Sequence, residues 1–288
     1  MRKSGKEPFE IGEDHPIDLA SSLPATPSPR HAGADTVAVL VIPCFNEEQR
    51  LHIDAIASFL DTHASAELMF VDDGSVDKTS DKVGQLRAKY PDRVSLLRLA
   101  RNSGKAEAVR TGVLAALERP TPYVGFWDAD LATPLEALDG FLAEFIRVPQ
   151  LELVMGARVQ LLGRTIDRKG VRHYSGRVFA TVVSLILKLP VYDTQCGAKL
   201  FRKTPTLRAL FASPFLSRWA FDVEIIGRLA VERLRTGGPG PAACISELPL
   251  YSWRDVAGSK LRLVDIFRVS RDLLRIQRWL RKATRAAA

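Results

Sequence analysis

Two aspartates, Asp128 and Asp130, stand one residue apart directly after Phe126-Trp127. In extended chain an i, i+2 spacing turns both carboxylates to one face. Two such hard oxygen donors suit Mg²⁺ or Mn²⁺, and an ion held there bridges a diphosphate and neutralises its charge as it leaves. The pair alone says little: 33 acidic residues among 288 make roughly four acid-x-acid triplets expected by chance, so the strand before it carries the reading. A second acidic pair, Asp72-Asp73, ends the run ELMFVDDGS. It reads either as the Asp-Gly turn of a hairpin or as a strand-to-helix crossover whose carboxylates accept from ribose hydroxyls or a base edge. The helical pattern that follows favours the crossover.

Lys105 follows Ser103-Gly104 at the start of another helical pattern, where backbone N–H groups and an ammonium meet a phosphate. Its spacing is not that of a P-loop, which removes Walker-type ATP hydrolysis from consideration. Further along, Arg158, Arg164, Arg168, Lys169, Arg172 and Arg177 crowd around His173 and Ser175. They form either a solvated basic face or a cradle for the phosphates of a donor and an acceptor. Asp222 and Glu224, in RWAFDVE, sit at a helix start, where acids beside aromatics serve as caps or core contacts.

These residues need a frame, and the chain supplies one. Apolar runs of strand length, TVAVLVI, ELMFV, VSLLRL, YVGFW and LELVMG, alternate with helical stretches at 47–63, 76–90, 104–117 and 135–146. Short continuous apolar strands between helices predict an α/β fold, a mostly parallel central sheet with helices on both faces. Such a sheet gathers ligands in the crevice beyond the carboxyl ends of its strands, and PCFNEE, VDDGSVD, RNSGKAEA and WDAD fall there. After Gly156 the alternation breaks down into a basic loop, an apolar helix, DTQCGAK, a helix near SRWAFDVE and a last helix from Leu261 to about Thr284.

Residues 1–35, rich in Pro and polar residues, are expected to form a disordered tail. Residues 36–258 are expected to form the catalytic domain and 259–288 a basic amphipathic helix. Three scattered cysteines with no metal-ligand spacing read as reduced thiols. No apolar stretch follows Arg2, Lys3 and Lys6, so no secretory signal is expected. The apolar window 178–191 is interrupted by Ser184, Lys188 and Pro190 and is short of the roughly 20 residues a spanning helix needs. A net charge of +8 implies an anionic partner, and no stacking or helix-turn-helix signature makes that partner nucleic acid.

Read in order, PCFNEE, VDDGS, RNSGKAEAVRTG, DADLATP, MGAR, DTQCGAKLF and RWAFDVE resemble the family 2 glycosyltransferases of GT-A fold, a nucleotide-diphospho-sugar transferase fold, over about residues 37–260. Among these the sequence is most similar to the dolichyl-phosphate (polyprenyl-phosphate) beta-glucosyltransferases. The resemblance implies that Pro43, Phe45, Glu47, Asp72, Asp73, Lys105 and Asp128 hold the nucleotide, and that Asp128 and Asp130 hold Mg²⁺ or Mn²⁺. It further implies that Asp130, Arg158 and Asp222 serve catalysis and that Arg172 and Ser175 grip phosphate on the acceptor. Ala106 and Ala198 depart from the family pattern, in which glycine and phenylalanine are usual. The implied reaction is inverting transfer of a sugar, glucose from UDP-glucose, onto a polyprenyl phosphate. Mannosyl transfer from GDP-mannose, transfer to a soluble hydroxyl acceptor and a silent nucleotide-sugar-binding scaffold are the alternatives.

From Gly258 onward nine lysines and arginines stand against two aspartates. Leu263, Ile266, Phe267, Leu273, Leu274, Ile276, Trp279 and Leu280 recur near helical spacing. The stripe is expected either to enter an anionic membrane surface, replacing the anchor of eukaryotic relatives, or to face the catalytic domain or a second subunit of a homo-oligomer. The membrane reading places the enzyme in the cytoplasm, peripherally bound to the inner face of the membrane.

Overall fold

The computed structural model describes residues 36–167, 170–255 and 263–287, and for 170–175 and 263–267 it describes the backbone. The expected tail, 1–35, lies outside these residues, as do Arg168, Lys169, Leu261 and the side chains of Arg172, His173, Ser175, Leu263, Ile266 and Phe267. The first half follows the predicted alternation: β1 (Ala38–Cys44), α1 (Ile53–Thr62), β2 (Ala66–Asp72), α2 (Thr79–Lys89), β3 (Val94–Arg98), α3 (Lys105–Ala116), β4 (Tyr123–Trp127), α4 (Leu138–Arg147) and β5 (Leu153–Ala157). The second half adds β6 (Thr165–Asp167), α5 (Gly170–Leu187), β7 (Ala198–Arg202), α6 (Pro205–Phe211), α7 (Phe221–Thr236), α8 (Pro241–Cys244), β8 (Ile245–Pro249), β9 (Ser252–Arg254) and α9 (Leu263–Ala287).

Seven strands form one sheet in the order β3-β2-β1-β4-β7-β5-β8. β7 runs antiparallel to both its neighbours, β4 and β5, and the other pairs are parallel. The side chains of β1 show why the strand is apolar throughout. Val39 and Val41 enter one core layer with α3, α6 and α7, while Leu40 and Ile42 enter the other with α1 and α4. Burial on both faces removes the polar alternation that a one-sided strand would show. β6 and β9 form a separate parallel pair.

Two departures from the sequence expectations bear on the site. α1 starts at Ile53 rather than near Glu47, because the amides of Arg50 and Leu51 first turn back onto the Glu47 carbonyl. DTQCGAK does not stay a loop: its last two residues open β7, which slots between β4 and β5. That strand carries a lysine at its second position, which hides it from an apolar-run reading.

The last helix also differs from its membrane reading. Leu273, Ile276 and Leu280 are buried against the domain, with Trp279 and Leu280 reaching Gly227 of α7. The buried Asp272 accepts from Ser217 Oγ at 2.8 Å, and Ser217 Oγ in turn accepts the amide of Ala220 at 2.8 Å. α7 and α5 offer apolar faces of their own, so the described part of the α9 stripe is satisfied inside the protein. Leu274 alone of its described large apolar residues is mostly exposed, at 51%. Among the described residues no helix is long and apolar enough to cross a membrane. Ile276→Ala removes a fully buried side chain and should cost about 2–5 kcal/mol, read as a lower midpoint in urea denaturation of the full chain; an unchanged midpoint would mean that α9 is not part of this core.

Candidate active site

β4 delivers the acidic pair to the end of the sheet. The chain then turns: Leu131 N donates to the Asp128 carbonyl at 3.1 Å, and Leu131 takes a left-handed φ of +51°, a conformation that costs a branched side chain energy. Asp128 and Asp130 therefore lie in a tight turn and not in extended chain, which corrects the geometry inferred from their spacing. The turn is fixed by Ala132 N donating to Asp130 Oδ1 at 3.2 Å and by Asp128 N donating to the Gly197 carbonyl at 3.0 Å. Residue 197 has to be glycine: a Cβ there would stand 1.9 Å from Asp128 Oδ2.

The chain's own cations face the pair. Lys105 Nζ lies 2.5 Å from Asp128 Oδ1, and Arg50 Nη1 lies 3.7 Å from Asp130 Oδ2. Burial pushes the Asp130 carboxyl above its usual range, and the neighbouring charge of Asp128 pushes it the same way. Burial pulls the Lys105 ammonium down, but the charges of Asp128 and then Asp222 outweigh it and the net shift is upward. Lys105 stays charged at the mouth of the crevice.

The ends of β1 and β2 build the neighbouring wall. Asp73 is buried and accepts the amides of Ser103 and Gly104, each at 2.7 Å. That carboxylate thereby fixes the loop that presents Lys105. Asp72, equally buried, accepts Ser75 N at 2.9 Å and the Ser80 hydroxyl. Gly74 between them and the next loop has φ +73°, and a Cβ there would meet the Arg101 backbone at 2.8 Å. Glu47 pairs with Arg50, and its amide donates to Thr79 Oγ1 at 2.8 Å. Asn46, at φ +52°, accepts Val76 N at 3.0 Å. Half-buried Pro43 and Phe45 flank this wall.

The opposite wall comes from the second half of the chain. Arg158, directly after β5, donates from Nε and Nη2 to Asp193 at 2.6 and 2.7 Å and lies over the Trp253 ring at 5.2 Å. Glu247 on β8 accepts the amides of Tyr192 and Asp193 at 2.7 Å each, and burial pushes its carboxyl up. Lys199 on β7 is wholly buried; its ammonium reaches Asp222 Oδ1 at 2.6 Å and the Cys196 carbonyl at 2.7 Å. Asp222 is thus an ion-paired carboxylate at the head of α7, whereas Glu224 faces Arg228 and the amide of Leu216. Arg172 and Ser175 belong to the first turns of α5, with side chains outside the description.

Arg50, Asp193, Gly197, Lys199 and Glu247 were not singled out by sequence reasoning. DTQCGAK contained three of them and carried the only available signal: an acid, a glycine and a lysine in a row of small residues.

The acid pair fits a hard divalent ion. Asp128 and Asp130 would offer it oxygen donors, beside two cations that already balance them. Among the described residues no group of three or more His, Cys, Asp or Glu forms a complete cage. That donor set suits Mg²⁺ or Mn²⁺ completed by phosphate oxygens and water.

Comparison with known proteins identifies the family and the fold. Residues 39–208 match the model of the family described as glycosyl transferase family 2. A dolichyl-phosphate beta-glucosyltransferase of Drosophila melanogaster is 33% identical over 257 residues, covering 84% of this chain and 74% of the relative. Its Homo sapiens counterpart is 32% identical over 236 residues, covering 77% and 68%. Among solved structures, glucosyl-3-phosphoglycerate synthase from Mycobacterium tuberculosis in complex with phosphoglyceric acid superposes with a TM-score of 0.59 at 18% identity, covering 85% of this chain and 80% of that one. The same enzyme with Mn²⁺, UDP and glucosyl-3-phosphoglycerate gives 0.55 at 16% identity, covering 90% and 86%. With its GT-A architecture and its acidic pair at the carboxyl end of β4, the chain belongs to glycosyl transferase family 2 and is a glycosyltransferase.

Proposed function

We propose that the protein is an inverting, metal-dependent glucosyltransferase that moves glucose from UDP-glucose to a polyprenyl phosphate. The observation that carries the reading is the cation-balanced pair Asp128 and Asp130 in the crevice beyond the parallel strands. The acceptor reading draws support from relatives named dolichyl-phosphate beta-glucosyltransferase, which match over four fifths of this chain in several organisms. The donor and metal readings draw on the synthase crystallised with UDP-glucose and Mn²⁺, whose likeness here is one of fold.

Asp128 and Asp130 would hold the divalent ion, with Asp130 the firmer ligand; when bound, the ion draws charge from the departing diphosphate. Asp73, with Pro43, Phe45, Glu47 and Asp72, would line the nucleotide. Asp73 does so through lone pairs that its two backbone partners leave over, and through the loop it fixes. Lys105 would leave Asp128 for the donor diphosphate, exchanging one anion for another at small cost. Arg172 and Ser175 would meet the acceptor phosphate, while Arg158 would hold this wall through Asp193 and present its remaining N–H to a phosphate.

An acceptor phosphate oxygen then forms its bond to the anomeric carbon as the bond to the UDP oxygen breaks on the opposite face, which inverts the centre. The nucleophile is already anionic at neutral pH, so no strong base is required. Asp222, neutralised by Lys199 at 2.6 Å, suits orientation of the sugar hydroxyls better than proton removal. Positioning and stabilisation of the leaving charge supply the acceleration.

Incubating the protein with a panel of labelled UDP- and GDP-sugars and a polyprenyl phosphate tests the reaction: label from UDP-glucose should enter the organic phase with metal present. Label retained in water-soluble products would reject the acceptor, and preferential use of GDP-mannose would reject the donor. Asp130→Asn should lower turnover roughly a thousandfold or more by weakening the ion's hold on the leaving group, while the urea midpoint stays close to the parent's. Near-parental, metal-dependent turnover would remove Asp130 from that role. Gly197→Ala places a methyl where Asp128 now lies and should raise the metal concentration needed for half-maximal rate at least tenfold; an unchanged metal requirement would mean that Asp128 is not a ligand.

A further inference from the structure

The sequence expectation made α9 both the apolar and the basic part of a membrane contact. The structure separates the two properties. On α9 the described apolar residues Leu273, Ile276 and Leu280 are buried, and Arg268, Arg271, Arg275, Arg278, Lys282 and Arg285 recur every three or four residues along the exposed side. Asp272, the one carboxylate among its described side chains, turns inward to Ser217. The helix therefore offers a nearly pure cationic stripe.

The missing apolar element is next to it. α5 packs against α9 and α7, burying Ala180, Val183 and Leu187 on one side. Its other side carries Val178, Val182 and Leu185, spaced four and three residues apart and exposed by 67%, 41% and 73%. At 100° per residue these three point away from the buried face. A helix that is aliphatic on its solvent side has an unfilled contact, and a ridge of three such residues marks an interaction surface more than a scatter of single ones would.

The geometry points to α5 and α9 as one docking surface for an anionic lipid bilayer: the α5 ridge enters the head-group boundary while the α9 stripe meets lipid phosphates. Charge decides among occupants. A second copy of this chain, joined two-fold through the same face, would bring two cationic stripes together. A nucleic acid would answer the cations and leave the aliphatic ridge in water. A bilayer with anionic head groups satisfies both at once.

The position of the ridge serves the reading of the acceptor, on which its purpose rests. Arg177, the residue before the ridge, lies over the Tyr192 ring at 4.5 Å, and Tyr192 adjoins the Asp193 that holds Arg158. The ridge thus begins at the rim of the catalytic crevice, where a lipid-borne phosphate would enter.

The full chain should co-sediment with vesicles of phosphatidylcholine and phosphatidylglycerol mixed in equal amounts, with no sugar donor present. It should bind vesicles of phosphatidylcholine alone at least tenfold more weakly. Replacing the ridge together, Val178→Ser, Val182→Ser and Leu185→Ser, should lower the partition coefficient on the mixed vesicles at least tenfold. Replacing Arg278, Lys282 and Arg285, which are exposed, with Gln should do the same and flatten the salt dependence. Both variants change exposed side chains, so the urea midpoint and UDP affinity should stay at parental values. Equal sedimentation of the ridge variant and the parent would overturn the proposal. So would a parental dimer that the ridge variant converts to monomer, since a second copy would then be the occupant. Transfer to polyprenyl phosphate in detergent micelles is measured beside it: a parent chain that binds no mixed vesicles while micellar transfer is intact rejects the surface alone. Vesicle binding without micellar transfer supports the surface and rejects the acceptor.

Discussion

Two acidic pairs, Asp72-Asp73 at the end of β2 and Asp128 with Asp130 after β4, stand on either side of β1 at one end of the sheet, and like charges within each pair destabilise one another unless each finds a donor. The donors arrive from separate parts of the chain. Ser75 of the loop after β2 and Ser80 of α2 answer Asp72, the amides of Ser103 and Gly104 answer Asp73, and Lys105 and Arg50 answer the pair after β4. Each answer fixes a loop as well as a charge. Asp73 holds the segment that carries Lys105, and Lys105 returns to Asp128, so β2, β3 and β4 are tied at one end by a chain of charged contacts. The crevice owes its shape to this neutralisation as much as to the hydrophobic layers beneath.

The same constraint decides what the sequence could reveal. β1, β2, β4 and β5 were legible because each is largely buried on both faces and reads as a near-continuous apolar run, AVLVI or YVGFW, while the edge strand β3 was read from the shorter apolar pattern of VSLLRL. β7 was not legible, because Lys199 sits in a strand whose other faces are filled by apolar neighbours. A buried lysine is intelligible only with its counter-charge, and Asp222 lies 23 positions away in sequence. The acid pair was found by residue type, yet its shape was misread, since the turn depends on Gly197 passing beneath Asp128. In α9 the periodicity showed that a stripe must be covered and was silent on what covers it; the faces of α5 and α7 that do so are themselves products of the fold.

Buried ion pairs of this kind are costly to desolvate and costly to break. Lys199–Asp222 and Arg158–Asp193 both stand on the side of the crevice built after β5. Neither adds much stability over an apolar pair of the same shape, so their value lies in orientation. Lys199 restricts Asp222 to one direction at the head of α7, and the Asp193 fork does the same for Arg158. The two walls therefore follow different rules: backbone amides and surface cations on one, and enclosed side-chain pairs on the other.

The Arg158–Asp193 pair spans 35 positions and joins the point where the chain leaves the sheet to the point where it comes back. Everything between them, the basic loop, β6 and α5, is an excursion closed at its neck. Lengthening a loop closed this way costs little, because closure entropy grows only with the logarithm of length. Changes of length in the basic loop between Arg158 and β6 can therefore accumulate without displacing the strands that carry the acid pair, whereas α5, whose Val183 and Leu187 enter the core, is held in place. The architecture is open to change in that loop and fixed at the strand ends: a lineage can vary one rim of the crevice while inheriting the acid pair unaltered.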